Sequence, residues 1–236
     1  MIDFFHRAKH WMLFIPLALP TIIQYSVQGS VNQKMQKMQL DMIKNPEMGI
    51  DLGTPDISEY ATYWYIYVAL MAVSFLVVMG WYWSIGYGLK KRLPTGANLD
   101  IGKFRIGFLV LAATNIGIII ALFFSFGYLD SFLGMIMNDT SPDFASDPDF
   151  PATFFKIWAI AMIGGLLYLA AFLYVAIFSA RTLRSIEMGK RAGGSELIGY
   201  VFLMFIPLIG VWILQPKINR LVTTGTTEKS DDSEVW

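Results

Sequence analysis

Long apolar runs alternate with polar connections along this chain. Five runs stand out: Trp11–Val27, Tyr63–Leu89, Phe104–Leu129, Phe154–Ala180 and Leu197–Leu214. Each is close to or above the roughly 17–25 residues with which a helix crosses hydrocarbon. The pattern predicts an all-α membrane protein, a bundle of five hydrophobic segments. Four are expected to be full transmembrane helices and the fifth either a C-terminal span or a re-entrant hairpin. One bundle is expected over residues 1–222, with external loops at 29–60 and 130–151 and a disordered polar tail at 223–236.

The polar connections set the orientation. Lys90, Lys91, Arg92, Lys103 and Arg105 follow the second run, and Arg181, Arg184, Lys190 and Arg191 follow the fourth. Basic residues in short loops stay cytoplasmic. The connection Asp130–Pro151 has no Lys or Arg but carries Asp130, Asp139, Asp143, Asp147 and Asp149, so it is expected outside. This places Gly29–Tyr60 outside and the N-terminus inside, and makes the chain an expected multi-pass membrane protein. Pro16, Pro20 and the lack of a small-residue cleavage site make the first run a retained span, not a signal peptide.

Charge and length disagree over the fifth run. A full crossing carries Lys217 and Arg220 outside, against the bias, whereas a hairpin turning at Pro207–Gly210 returns them to the cytoplasm. Eighteen apolar residues favour the crossing narrowly.

Rings cluster at both ends of the second run, with Tyr60, Tyr63, Trp64, Tyr65 and Tyr67 at one end and Trp81, Tyr82, Trp83 and Tyr87 at the other. Amphipathic rings so placed mark the two membrane interfaces. The segment Val31–Ile43 is expected to be a helix lying on the membrane surface or a partner. Small residues recur every four positions at Ala113, Gly117 and Ala121, at Ala161 and Gly165, and at Ala176 and Ala180. Such stripes let helix backbones approach closely, so they are the expected packing or self-association faces.

Composition narrows the chemistry. Hydrophobic residues make up 55% of the chain and charged ones 15%, against about 25% charged in soluble domains. Net charge is zero and cysteine is absent, which gives no reason to expect a nucleic-acid partner and removes disulfides and thiolate chemistry. No nucleotide-binding, nucleophile-elbow or zinc-protease motif is present. Buried acid–base groups at mid-span are missing, so no enzyme, cofactor or metal site is expected.

The mid-span polar residues are Ser74, Asn115 and Ser125, with Thr114 and Tyr168 beside them. They are expected to be interhelical glue, or else to line a transport path past Asn115 and the Pro207–Gly210 break. His6 and His10 share a helix face but lack a third ligand, so interfacial cations are expected. The acidic connection lacks the calcium-loop order and reads as a solvated loop. The group Lys90, Lys91, Arg92, Lys103 and Arg105 suits anionic lipid head groups. Membrane lipids, other membrane subunits or a second copy are thus the expected partners, and an accessory or structural role the expected function.

Several phrases carry a resemblance: Lys9-His10-Trp11 with Pro20 and Gln24, Gly80 to Pro94, Ala180-Arg181-Thr182-Leu183, Ile209-Gly210-Val211-Trp212, and Gln215-Pro216-Lys217-Ile218-Asn219. The chain resembles small uncharacterised polytopic membrane proteins of Bacteroidetes-type bacteria. The resemblance implies a bacterial inner-membrane protein and assigns no functional residue.

Overall fold

A computed structural model describes residues 2–44, 57–137 and 150–224. Every regular element among the described residues is helical: α1 (Ile2–Arg7), α2 (His10–Lys44), α3 (Ile57–Gly86), a 3-10 turn (Gly88–Arg92), α4 (Ile101–Met137), α5 (Phe150–Met188), α6 (Gly194–Phe205) and α7 (Pro207–Thr224). The acidic stretch 138–149 and the tail from 225 onward lie outside the described residues.

Three helical stretches are long and apolar enough to cross a membrane, Thr62–Arg92, Ile101–Phe124 and Met162–Met188. They match the second, third and fourth apolar runs. The fifth run is not one straight helix. It breaks between α6 and α7, whose axes turn by 118°. With α6 only 12 residues long, it reaches about 18 Å at 1.5 Å per residue, short of the ~30 Å hydrocarbon core. The pair is either one broken span or a re-entrant loop, so the choice between a full crossing and a hairpin is not decided by the fold. The first run, at the start of α2, is not among the helices that qualify, so the count of five spans is not established.

The helices outrun the apolar stretches. α2 continues through Pro16 and Pro20 to Lys44, and α3 begins at Ile57, so much of the expected loop 29–60 is helix. Gln, Lys and Met are good helix formers, which lets the ladder run on past the apolar face.

Local signals fix the ends. Asp100 caps α4, its Oδ1 accepting the Lys103 backbone N–H at 3.1 Å. Gly189, at φ +64°, takes the left-handed conformation that ends α5. The Glu196 carboxylate accepts the Gly193 N–H at 2.7 Å where α6 starts, and Pro207 occupies the first position of α7, where a missing N–H does no harm.

Two compact units divide the chain. The first holds the described parts of Met1–Leu17, Phe75–Thr114 and Leu166–Trp236. Its core joins Leu13, Trp81, Tyr82, Ile85, Phe104, Leu183, Met204, Val211, Leu214 and Ile218, all buried. Here Trp81 and Tyr82 are 1% and 0% exposed, so they are core residues and not interfacial anchors. The second unit holds Ala18–Ser74 and Asn115–Gly165. In it Trp64 Nε1 donates to the Leu122 carbonyl at 2.9 Å, and Tyr65 meets Phe123 at 5.2 Å between ring centroids.

Candidate functional site

The side-chain chemistry of the first unit gathers around the break between α6 and α7. A proline at position 207 cannot donate to the turn before it, so carbonyls at the end of α6 lose helical partners. Tyr82 of α3 replaces one of them: its hydroxyl donates to the Met204 carbonyl. The Ile206 N–H reaches Phe202 O at 3.2 Å, and the N–H groups of Ile209 and Gly210 both reach Ile206 O. Gly210 leaves room for the turn, because a Cβ there would stand 2.1 Å from the Leu203 carbonyl oxygen. Protein groups thus take up part of the backbone freed by the break: the Met204 and Ile206 carbonyls and the N–H groups of Ile206, Ile209 and Gly210.

A second polar node sits one turn further along α7. Gln215, fully buried, accepts a hydrogen bond from Trp81 Nε1 at 2.9 Å. Its amide nitrogen donates to the carbonyls of Phe5 and Ala8 and to Asn219 Oδ1, while Asn219 Nδ2 donates to Ala8 O at 3.0 Å. Two side chains four apart on one helix therefore take up carbonyls left open where α1 ends. The N-terminal helix also docks on α3 and the 3-10 turn after it, where Gly80, Ser84 and Gly88 form a small-residue face. Phe5 lies against Gly80, Ile2 and His6 against Gly88, and His6 Nε2 donates to the Ser84 carbonyl at 3.0 Å.

Charge collects where α5 ends. The Glu187 side chain is 5% exposed and receives Arg184 Nη1 at 3.2 Å and Lys217 Nζ at 3.9 Å. The Tyr200 hydroxyl donates to the same carboxylate and accepts from Lys217 at 3.0 Å. Members come from α5, α6 and α7, so this network ties both arms of the bent pair to the end of α5. On the far side of α7, Arg92 donates to the carbonyls of Leu221 and Val222, taking up the orphaned C-terminal carbonyls and complementing the helix dipole.

The residues singled out by sequence are dispersed. Asn115 and Ser74, 3% and 7% exposed, are buried in the second unit, and the Ser74 hydroxyl donates to its own helix at Leu70 O. Of Ser125 and Ala161 only the helical backbone is described. Ala113, Gly117 and Ala121 are exposed together, and a Cβ on Gly117 or Gly165 would meet nothing within 4 Å. Among the described residues nothing closes on those two glycines, whereas neighbours close on Gly80, Gly86, Gly88, Gly107 and Gly210. Ala176 and Ala180 are buried. His6 is buried and donates to the Ser84 carbonyl, while His10 packs on Trp212 at 4.2 Å.

Nor do the five basic residues act alike. Lys103 pairs with Asp100 at 3.5 Å, Arg92 caps α7, Lys91 is exposed, and Lys90 and Arg105 both donate to the Tyr87 hydroxyl, at 2.9 and 2.7 Å. Asp100 is held below the ordinary carboxylate value by the Lys103 backbone N–H, with the Lys103 charge adding to the effect. Among the described residues no group of three His, Cys, Asp or Glu side chains could hold a metal ion. A scan of protein-family models finds no match to this chain, and searches of curated proteins and of solved structures find none either.

Gln215, Glu187, Tyr82 and Tyr87 were missed as site residues by sequence reasoning. The Gln215–Asn219 and Gly80–Ser84–Gly88 spacings of four were available as signals, but they look no different from Ala113–Gly117–Ala121, where a Cβ on Gly117 would meet nothing within 4 Å.

Proposed function

We propose that this chain is a non-catalytic integral protein of a bacterial inner membrane that works through contacts with other membrane subunits or with lipid, as an accessory or structural component. Four helices, α2 to α5, cross the bilayer, and α6 and α7 form a re-entrant hairpin that enters and leaves on the cytoplasmic side. The N-terminus and the end of α7 share that side.

One observation carries the reading. The break at Ile206-Pro207 is the place where a transporter would expose backbone to a substrate, and here one of its carbonyls, Met204 O, is taken up by Tyr82 and its bend is closed by the Gly210–Leu203 approach. A sealed turn supports a packed anchor over a solvated path. The contacts of α7 support the hairpin: Gln215 holds α1, Lys217 reaches Glu187, and Arg92 caps the last turn. A straight crossing would have carried those three apart.

The test has two arms on the same preparation. Mild-detergent purification from a bacterial host should retain a membrane protein or defined lipid in fixed ratio, and liposomes holding the purified chain should leak ions and protons no faster than empty ones. Flux that the chain creates, and that Tyr82→Phe or Asn115→Ala changes, would replace the accessory reading with transport.

A further inference from the structure

The Tyr87 hydroxyl accepts hydrogen bonds from two cations at once, Lys90 Nζ at 2.9 Å and Arg105 Nη2 at 2.7 Å. Both cations also stand over its ring, at 4.0 and 4.7 Å from the centroid. Two like charges are thus held within two hydrogen bonds of each other, and among the described residues no carboxylate pairs with either; the nearby ion pair of Lys103 is made with Asp100 instead. A phenol oxygen that accepts twice still carries its own proton, and no acceptor for it stands among the described residues. Lys90 and Arg105 keep further N–H groups unused.

We infer that Tyr87, Lys90 and Arg105 form a binding site for a phosphate anion, and that its source is the phosphodiester of an anionic glycerophospholipid. A phosphate supplies what the cluster lacks: negative charge between the two cations and an acceptor for the Tyr87 O–H. Charge-assisted bonds from guanidinium and ammonium to phosphate oxygens are among the strong ones. Placement selects the lipid over free phosphate. The site lies where the apolar stretch Thr62–Arg92 ends and Ile101–Phe124 begins, and immediately past Arg105 the side chains of Ile106 and Leu109 are each 65% exposed, an apolar face suited to acyl chains. The inference uses the membrane embedding of the proposed function and nothing else in it. It also narrows the five-residue lipid patch read from sequence, since Arg92 and Lys103 are engaged elsewhere.

The full chain, purified in mild detergent, is titrated with phosphatidylglycerol or phosphatidylcholine and bound lipid is counted by native mass spectrometry. Phosphatidylglycerol should bind the wild-type chain in preference. Lys90→Gln with Arg105→Gln should weaken it about 30-fold, which is roughly 1 kcal/mol per basic residue at 1.4 kcal/mol per decade. Tyr87→Phe keeps both cations and loses only the hydroxyl, and should weaken binding roughly tenfold. Lys190→Gln, an exposed charge outside the site, should leave it within about twofold. Should the double variant fold poorly, Tyr87→Phe alone decides. Wild-type phosphatidylglycerol affinity in Tyr87→Phe and the double variant overturns the inference, and so does competition by inorganic phosphate at equal concentration. A chain that stays soluble without detergent or lipid overturns this inference and the membrane reading together; embedding without lipid preference overturns this one alone.

Discussion

Gly210→Ala is the sharpest probe of the hairpin. The new Cβ would stand 2.1 Å from the Leu203 carbonyl oxygen, 3.0 Å from its carbon and 3.2 Å from Trp81 Cη2, where ordinary contacts lie near 3.5 Å. Two of those atoms are backbone, so no rotamer change relieves them. α6 and α7 must part by roughly an ångström, with Trp81 displaced from its bond to Gln215. Overpacking of this kind costs about 1–3 kcal/mol, set against up to ~1 kcal/mol that Ala gains over Gly in a helix. A net loss of about 1 kcal/mol is expected, or roughly 2–4 °C in melting temperature for a chain of this size. The chain has 7 tryptophans, so intrinsic fluorescence on heating in detergent reads it directly. Gly199→Ala on α6 is the matched control, since a Cβ there meets nothing within 4 Å, and it should melt at or slightly above wild type. If Gly210→Ala melts with or above Gly199→Ala, the closed hairpin is wrong.

Three further outcomes are expected. Gln215→Leu strands the Trp81 N–H and the Phe5 carbonyl, while Ala8 O keeps Asn219, and should destabilise by about 2–4 kcal/mol while exposing α1 to protease; an N-terminus as resistant as wild type would contradict the node. Glu187→Gln leaves Arg184 and Lys217 without their carboxylate, and should release α7 first, seen as faster amide exchange over 214–220 than over α3. Asp100 has a carboxyl lowered from its ordinary 3.8 by the Lys103 N–H, so its capping contribution is complete above that value and is lost as the pH falls through the lowered one; Lys103 amide protection should drop there, and Asp100→Asn should abolish the pH dependence.

The three candidate spans were legible because hydropathy is summed over some twenty residues and no single contact can reverse it. The bend at Pro207 was legible only as one of two alternatives. Leu197–Leu214 has the same composition whether straight or folded back, and what folds it is a hydroxyl at Tyr82 and space at Gly210, which reach it only through tertiary structure. Small-residue spacings were ambiguous for a related reason. Gly117 and Gly80 sit in equally regular spacings of four, yet only Gly80 has Phe5 brought against it, by an α1 too short to attract notice. Basic residues were read as a patch by count. Their separate duties depend on which carbonyl, carboxylate or phenol stands beside each one, as Arg92, Lys103 and Arg105 illustrate.

The central claim is that α6 and α7 return the chain to the side they left. The chain has no native cysteine, so single cysteines can be placed at Thr223, at Thr95 in the basic connection, and at Ser146 in the acidic one, then treated with a membrane-impermeant maleimide in intact spheroplasts and after lysis. The hairpin requires Thr223→Cys to behave like Thr95→Cys, silent until lysis, while Ser146→Cys labels at once. Labelling of Thr223→Cys in intact spheroplasts together with Ser146→Cys would put the end of α7 outside and contradict the account.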